Sequence, residues 1–170
     1  MRLKVKLLLL HSTFSNLNLF LSKQEMERLL GLEKELYYVR DDTVNKYAMG
    51  FVIPVRSSVA SLHFTWYNTV SNSLNYSLTT SSSHPLALPI PSVNISMQGI
   101  VPEQPQVWHA VLQCTGTEDA EVAIALDLSI TGLDVASSPQ NTTKLRFRRK
   151  KTCFMTANQV EAMKNDNVPV

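Results

Sequence analysis

The strongest constraint on this chain is a period of two. Short runs in which apolar and polar residues alternate recur along it: "NLNLFL" (16–21), "ELYYV" (35–39), "AMGFVIPV" (48–55), "SLHFTWY" (61–67), "SLNYSLT" (73–79), "SVNISMQ" (92–98), "QVWHAVLQC" (106–114), "AEVAIALDLSIT" (120–131) and "TKLRFR" (143–148). Side chains on a strand point to opposite faces in turn, so each run offers one face to a core and one to water. The segments between them, such as "TTSSSHPLALPIP" and "LDVASSPQN", are rich in Ser, Pro, Asn and Gly, which favour turns. About nine short strands at this spacing predict an all-β chain folded as a β-sandwich, immunoglobulin-like in general architecture. A length of 170 residues suits one domain with a sizeable core.

One or two short helices interrupt the strand pattern. In "SKQEMERLLG", Ser22 and Glu25 form a capping box and Gly31 falls where a left-handed C-cap belongs. Thr156 and Gln159 repeat the capping pattern, so residues 155–170 form a short C-terminal helix or a flexible tail. Residues 1–15, "MRLKVKLLLLHSTFS", begin like a secretory signal, but His11 cuts the apolar run short. They read either as a weak or truncated signal or as a disordered or strand-like arm, and the folded domain is assigned to residues 16–154. No apolar run approaches the roughly 18 residues that span a bilayer.

The residues do not assemble into a recognisable catalytic set. There is no G-x-S-x-G elbow, phosphate-binding glycine loop or H-E-x-x-H. His11, His63, His84 and His109 are isolated in sequence, with no Cys or His at zinc-ligand spacing. Asp41–Asp42 and Glu118–Asp119 fall in turn-like segments. No catalytic residue, metal or cofactor is expected, and no nucleic-acid partner. The aromatic stretch "LHFTWYN" invites a chemical reading, but alternation puts Leu62, Phe64 and Trp66 on one face and His63 on the other. Packing in the core is the expectation. The other reading is an apolar ligand cavity lined by Phe64, Trp66, Met97 and Trp108.

Cys114 ends one predicted strand and Cys153 follows another, which suits either a bridge between strand ends or two structural thiols. Three N-x-[ST] sequons, at Asn75, Asn94 and Asn141, favour an extracellular, disulfide-bonded module. Asn75 and Asn94 alternate with apolar neighbours and so face away from the core, and Asn141 lies in a turn.

The stretch "LNLFLSKQEMERLLGLEKELYYVRDDTVNKYAMGFVIPV" resembles the opening of the WIF domain of the RYK/Derailed/Doughnut receptors. "LHFTW", "VNISMQGIVP", "CTGTEDAEV" and "LRFRRKKTC" continue the resemblance in order, from about Leu17 to Cys153. It implies a β-sandwich ectodomain of a single-pass cell-surface receptor that binds Wnt proteins by protein–protein contact, in signalling for development and axon guidance. In the family a transmembrane helix and a kinase-like domain follow, both outside this chain, so membrane association is expected only through that absent segment. The family's disulfide carries over onto Cys114 and Cys153. Its Wnt-contacting surface has no short motif and carries over onto no residue.

Charge is distributed unevenly. No lysine or arginine lies between Arg56 and Lys144, and "KLRFRRKK" then places six cations between Lys144 and Lys151. Alternation puts Lys144, Arg146 and Arg148 on the outer face, with Arg149, Lys150 and Lys151 expected to cluster where the strand ends. The segment is either a solvated face beside acidic neighbours or a patch for anionic glycan such as heparan sulfate. Three functions therefore stand open: Wnt recognition, an acyl-binding β-sandwich and a glycosaminoglycan module.

Overall fold

The computed structural model describes residues 16–69, 72–133 and 141–166. The N-terminal arm therefore lies outside the described residues. Among the described residues, ten strands form two five-stranded sheets. The elements are β1 (Leu17–Leu21), α1 (Lys23–Leu30), β2 (Leu36–Arg40), β3 (Thr43–Val44), α2 (Lys46–Gly50), β4 (Val52–Val55), β5 (Ser61–Asn68), β6 (Asn75–Ser82), β7 (Gln98–Ile100), β8 (Gln106–Val111), β9 (Ala120–Thr131), β10 (Thr142–Cys153) and α3 (Ala157–Asp166). One sheet runs β3-β2-β1-β5-β8 and the other β4-β10-β9-β6-β7. The chain is an all-β sandwich, with three short helices among the described residues.

Each sheet turns its apolar alternation inward. In β5, Leu62, Phe64 and Trp66 are buried while Ser61, His63 and Thr65 are half-exposed. The core is aromatic at its centre. Phe64 stacks on Trp108 with ring centroids 4.5 Å apart, and Phe147 from the other sheet stands 5.2 Å from Phe64. Tyr38 meets Phe147 edge-on at 4.8 Å. Offset and edge-to-face geometries such as these add to the apolar burial.

Local chemistry sets the helix and turn ends. Ser22 accepts from the Glu25 amide at 3.2 Å, and Gly31 closes α1 at φ 68°. Asp41 and Asp42 both take positive φ and form the two-residue turn between β2 and β3. They are bound in place: Asp42 accepts from the Leu17 amide at 2.7 Å. Gly116, at φ 77°, has no room for a side chain, because a Cβ there would lie 2.4 Å from Thr156 Cγ2.

Two expected strands are corrected. "AMG" is not the start of a strand but part of α2, capped by Asn45, whose side chain accepts from the Ala48 amide. "SVNISMQ" makes a single bridge, Val93 to Ala110, and the strand β7 begins only at Gln98. This segment lies along the free edge of β8, with the Asn94 amide bonded to His109 O and the Val111 amide to Ser92 O.

Candidate recognition surface

Strand β10 organises the surface. It pairs with β9 without a break from Thr142 to Cys153 and runs parallel to β4 at Arg148–Lys151. Strict alternation therefore continues to the disulfide. Lys144, Arg146, Arg148 and Lys150 point outward, whereas Arg149 and Lys151 are turned into the core. The expected cluster of Arg149, Lys150 and Lys151 at the strand end is thus corrected: two of the six cations leave the surface.

Burying two cations requires partners. The Arg149 guanidinium donates to the Tyr38 hydroxyl at 2.7 Å and to the Arg148 carbonyl at 2.9 Å, and lies over the Tyr38 and Phe64 rings. Burial raises the Tyr38 hydroxyl, and the neighbouring guanidinium opposes that rise. The Lys151 ammonium donates to the carbonyls of Arg56 at 2.8 Å, Ser57 at 3.0 Å and Val59. Lys151 thereby holds the loop that returns the chain from β4 to β5.

Burial also lowers Lys151 to about 8. An unfolded lysine titrates near ~10.4, so between these values the unfolded chain carries the extra proton. This group then makes stability rise with pH from about 8 upward and leaves it flat below. Urea unfolding of the wild type and of Lys151→Met between pH 7 and 9.5 will show their difference shifting toward the wild type above pH 8. A pH-independent difference would refute the assignment.

The outward cations have uneven company. Arg146 reaches Asp127 at 3.3 Å and Lys150 reaches Glu121 at 3.0 Å, both exposed pairs. Arg148 donates to the Gly50 carbonyl at 3.0 Å, joining β10 to the end of α2. Among the described residues, Lys46, Lys144 and Arg148 form no ion pair.

Between α2 and β10 lies a cleft of about 530 Å³ with cations at its rim (Lys46, Lys144, Arg146, Arg148) and Val44, Met49 and Leu145 among its other walls. A second trough of about 300 Å³ shares Arg146 and Arg148 and extends over the small side chains Ser81, Ala123 and Ala125. Sequence reasoning missed Lys46 and Met49 because it read their segment as a strand or passed over it. The signal was Asn45, a strong N-cap residue three positions before Ala48.

Of the two readings of the aromatic stretch, core packing describes these rings and the apolar cavity does not. Phe64, Trp66 and Trp108 are fully buried, and Trp66 lies tilted against Trp108 with ring centroids 5.6 Å apart. Their rings fill the space between the sheets. Met97 is 42% exposed and takes no part in it.

On the opposite sheet, β5 and β8 bring His63 and His109 side by side at 5.7 Å, a pairing that their separation in sequence concealed. His63 also bonds Ser61 Oγ at 3.0 Å, but Glu25 lies 3.9 Å away and is committed to Arg28 and to the His63 amide. The arrangement ties α1 to β5. Cys114 and Cys153 are joined in a disulfide, with Cα atoms 5.6 Å apart, that links the chain beyond β8 to the end of β10. Asn75, Asn94 and Asn141 are exposed. Asn94 accepts from the His109 amide through Oδ1, and Nδ2 is the atom a glycan would use.

The family model of the WIF domain matches residues 19–153, from within β1 to the disulfide that closes β10. The chain belongs to the WIF domain family. This WIF domain is 42% identical to Drosophila melanogaster tyrosine-protein kinase Drl over 87% of the chain and 40% identical to Dnt of the same fly over 83%. It is 40% identical to human tyrosine-protein kinase RYK over 86%. The chain spans about a quarter of the length of these relatives: 24%, 24% and 23%. A Caenorhabditis elegans relative, 30% identical over 82% of the chain and 22% of its own length, is named an inactive tyrosine-protein kinase. Among solved structures, the Pseudomonas aeruginosa CupB2 chaperone superposes over 69% of this chain and 61% of its own, at TM-score 0.37 and 12% identity.

Proposed function

We propose that this WIF domain is the extracellular recognition module of a RYK-type receptor and binds a Wnt protein through its surface. The observation that carries the reading is the family match across the whole sandwich, at 40–42% identity to Drl, Dnt and RYK. The filled aromatic core supports surface contact over capture of an acyl chain, because the rings that would line a cavity pack against one another. The disulfide suits an oxidising compartment. Any kinase activity belongs to the part of the relatives that this chain does not cover. The test is binding of the purified, oxidised domain to a panel of purified Wnt proteins by surface interferometry. Saturable binding to at least one supports the reading, and binding to none overturns it.

A second reading rests on β10 itself. Lys144, Arg146, Arg148 and Lys150 stand in one outward row, successive members roughly 7 Å apart along the strand. Such a row suits the repeating anions of heparan sulfate. Neutralising Lys144, Arg146 and Arg148 together will bring elution from heparin to lower salt and flatten its salt dependence, as fewer counterions are displaced. An unchanged elution position eliminates the glycan role.

The exposed sequons carry a related expectation. Secretion of the domain from an animal cell will glycosylate at least two of Asn75, Asn94 and Asn141. The mass lost on glycosidase treatment measures this, and an unchanged mass counts against the extracellular reading.

A further inference from the structure

We infer that the saddle formed by α2, the start of β4 and the outward row of β10 is the face that contacts the protein ligand, an inference that rests on the Wnt-recognition reading above. Two observations converge there. The first is charge: Lys46, Lys144, Arg146 and Arg148 rim one cleft, and Asp127 is the one carboxylate that pairs with any of them among the described residues. The second is exposed apolar area. Tyr47 is 86% exposed, Phe51 57% and Val52 48%, in one short segment that follows Lys46 and meets Arg148 in register at Val52. Aromatic residues and arginine are the side chains most enriched at the energetic centres of protein interfaces, and lysine-rich polar surfaces are not.

The scaffold suits this role. The segment from Lys46 to Val55 leaves one sheet for the other, and its position is fixed at both ends. Asn45 caps α2 and also donates to the Tyr37 carbonyl at 3.1 Å, and Arg148 holds the Gly50 carbonyl. Lys151 grips the loop that follows β4. Tyr47 and Phe51 are therefore presented on an anchored support, so ordering them on binding costs little entropy. The second trough continues the surface across Val52, Arg148, Ala125 and Ser81, which stand in register on β4, β10, β9 and β6. Small side chains beyond the cations leave room for a protruding loop. The partner that fits is a protein surface with carboxylates flanking an apolar projection.

The experiment compares three forms of the chain against a Wnt protein that the unmodified domain binds. Tyr47→Ala with Phe51→Ala removes the apolar element, and Lys46→Glu with Lys144→Glu reverses the rim. Val107→Ala, on the exposed face of β8, is the control, and circular dichroism and melting confirm that each form folds. Each double variant will weaken binding at least tenfold, and the control will leave it unchanged. The charge reversal will also slow association and reduce its salt dependence. Equal binding by Tyr47→Ala/Phe51→Ala and the parent overturns the inference and leaves Wnt recognition itself standing. So does a charge variant that lowers heparin retention while Wnt affinity stays the same, which would make the row a glycan site. Absence of binding by the unmodified domain is the separate failure of the underlying reading.

Discussion

Replacing Cys114 and Cys153 together by alanine will lower the unfolding free energy by about 4 kcal/mol, the chain-entropy value for opening a loop of 39 residues. Marginal domains have roughly 5–15 kcal/mol in all, so the loss removes a large part of the total. Two features of the fold make the effect large. The bridge joins the end of β10 to the chain beyond β8, which belong to different sheets, and Cys153 is buried against the core. Urea unfolding of the oxidised parent and the double variant measures the difference. A shift below about 1 kcal/mol would mean that the bridge is not the staple between the sheets.

The other large effect belongs to Phe64. Phe64→Ala removes the ring that stacks on Trp108, meets Phe147 across the sandwich and lies under Arg149. Truncating a buried phenylalanine costs about 3–5 kcal/mol through lost transfer energy and the cavity left behind. Met97→Ala, at an exposed position, will stay within about 0.5 kcal/mol. The pair of measurements separates a filled core from a ligand chamber. In a chamber wall, loss of the Phe64 ring would enlarge existing space at little cost, and thermal unfolding would show a shift close to that of Met97→Ala.

Much of the architecture was legible because a period of two leaves few choices. Leu62, Phe64 and Trp66 could share a face only as core or cavity, and their burial follows from the alternation that selected them. Arg149 and Lys151 were misplaced for an instructive reason. The pattern Leu145, Phe147, Arg149, Lys151, Cys153 continues without a slip to the end of β10, whereas the expected strand stops at Arg148. What the sequence could not display were the acceptors: the Tyr38 hydroxyl lies 111 residues away from Arg149, and the carbonyls of Arg56 and Ser57 lie 95 and 94 away from Lys151. The saddle was hidden differently. Five residues of α2 are too few to show a helical period, and only the Asn45 cap marks them. The histidine pair on β5 and β8 depended on strand register, which no single run reveals.

The disulfide also decides how the domain would carry tension. A pull applied between β1 and a point beyond Cys153 travels through the covalent chain, and the bridge offers a short circuit from Cys153 to Cys114. Everything between those cysteines, including β9, β10 and the whole outward row of cations, lies off the loaded path. A stretched domain would give up about 130 Å less contour length than a reduced one, the extended reach of the 39 bypassed residues. In a single-molecule stretching trace, that missing length would appear as a shorter unfolding step in the oxidised form. The strand that holds the saddle in place would keep its partner β9 inside the same closed loop while the opposite sheet came apart.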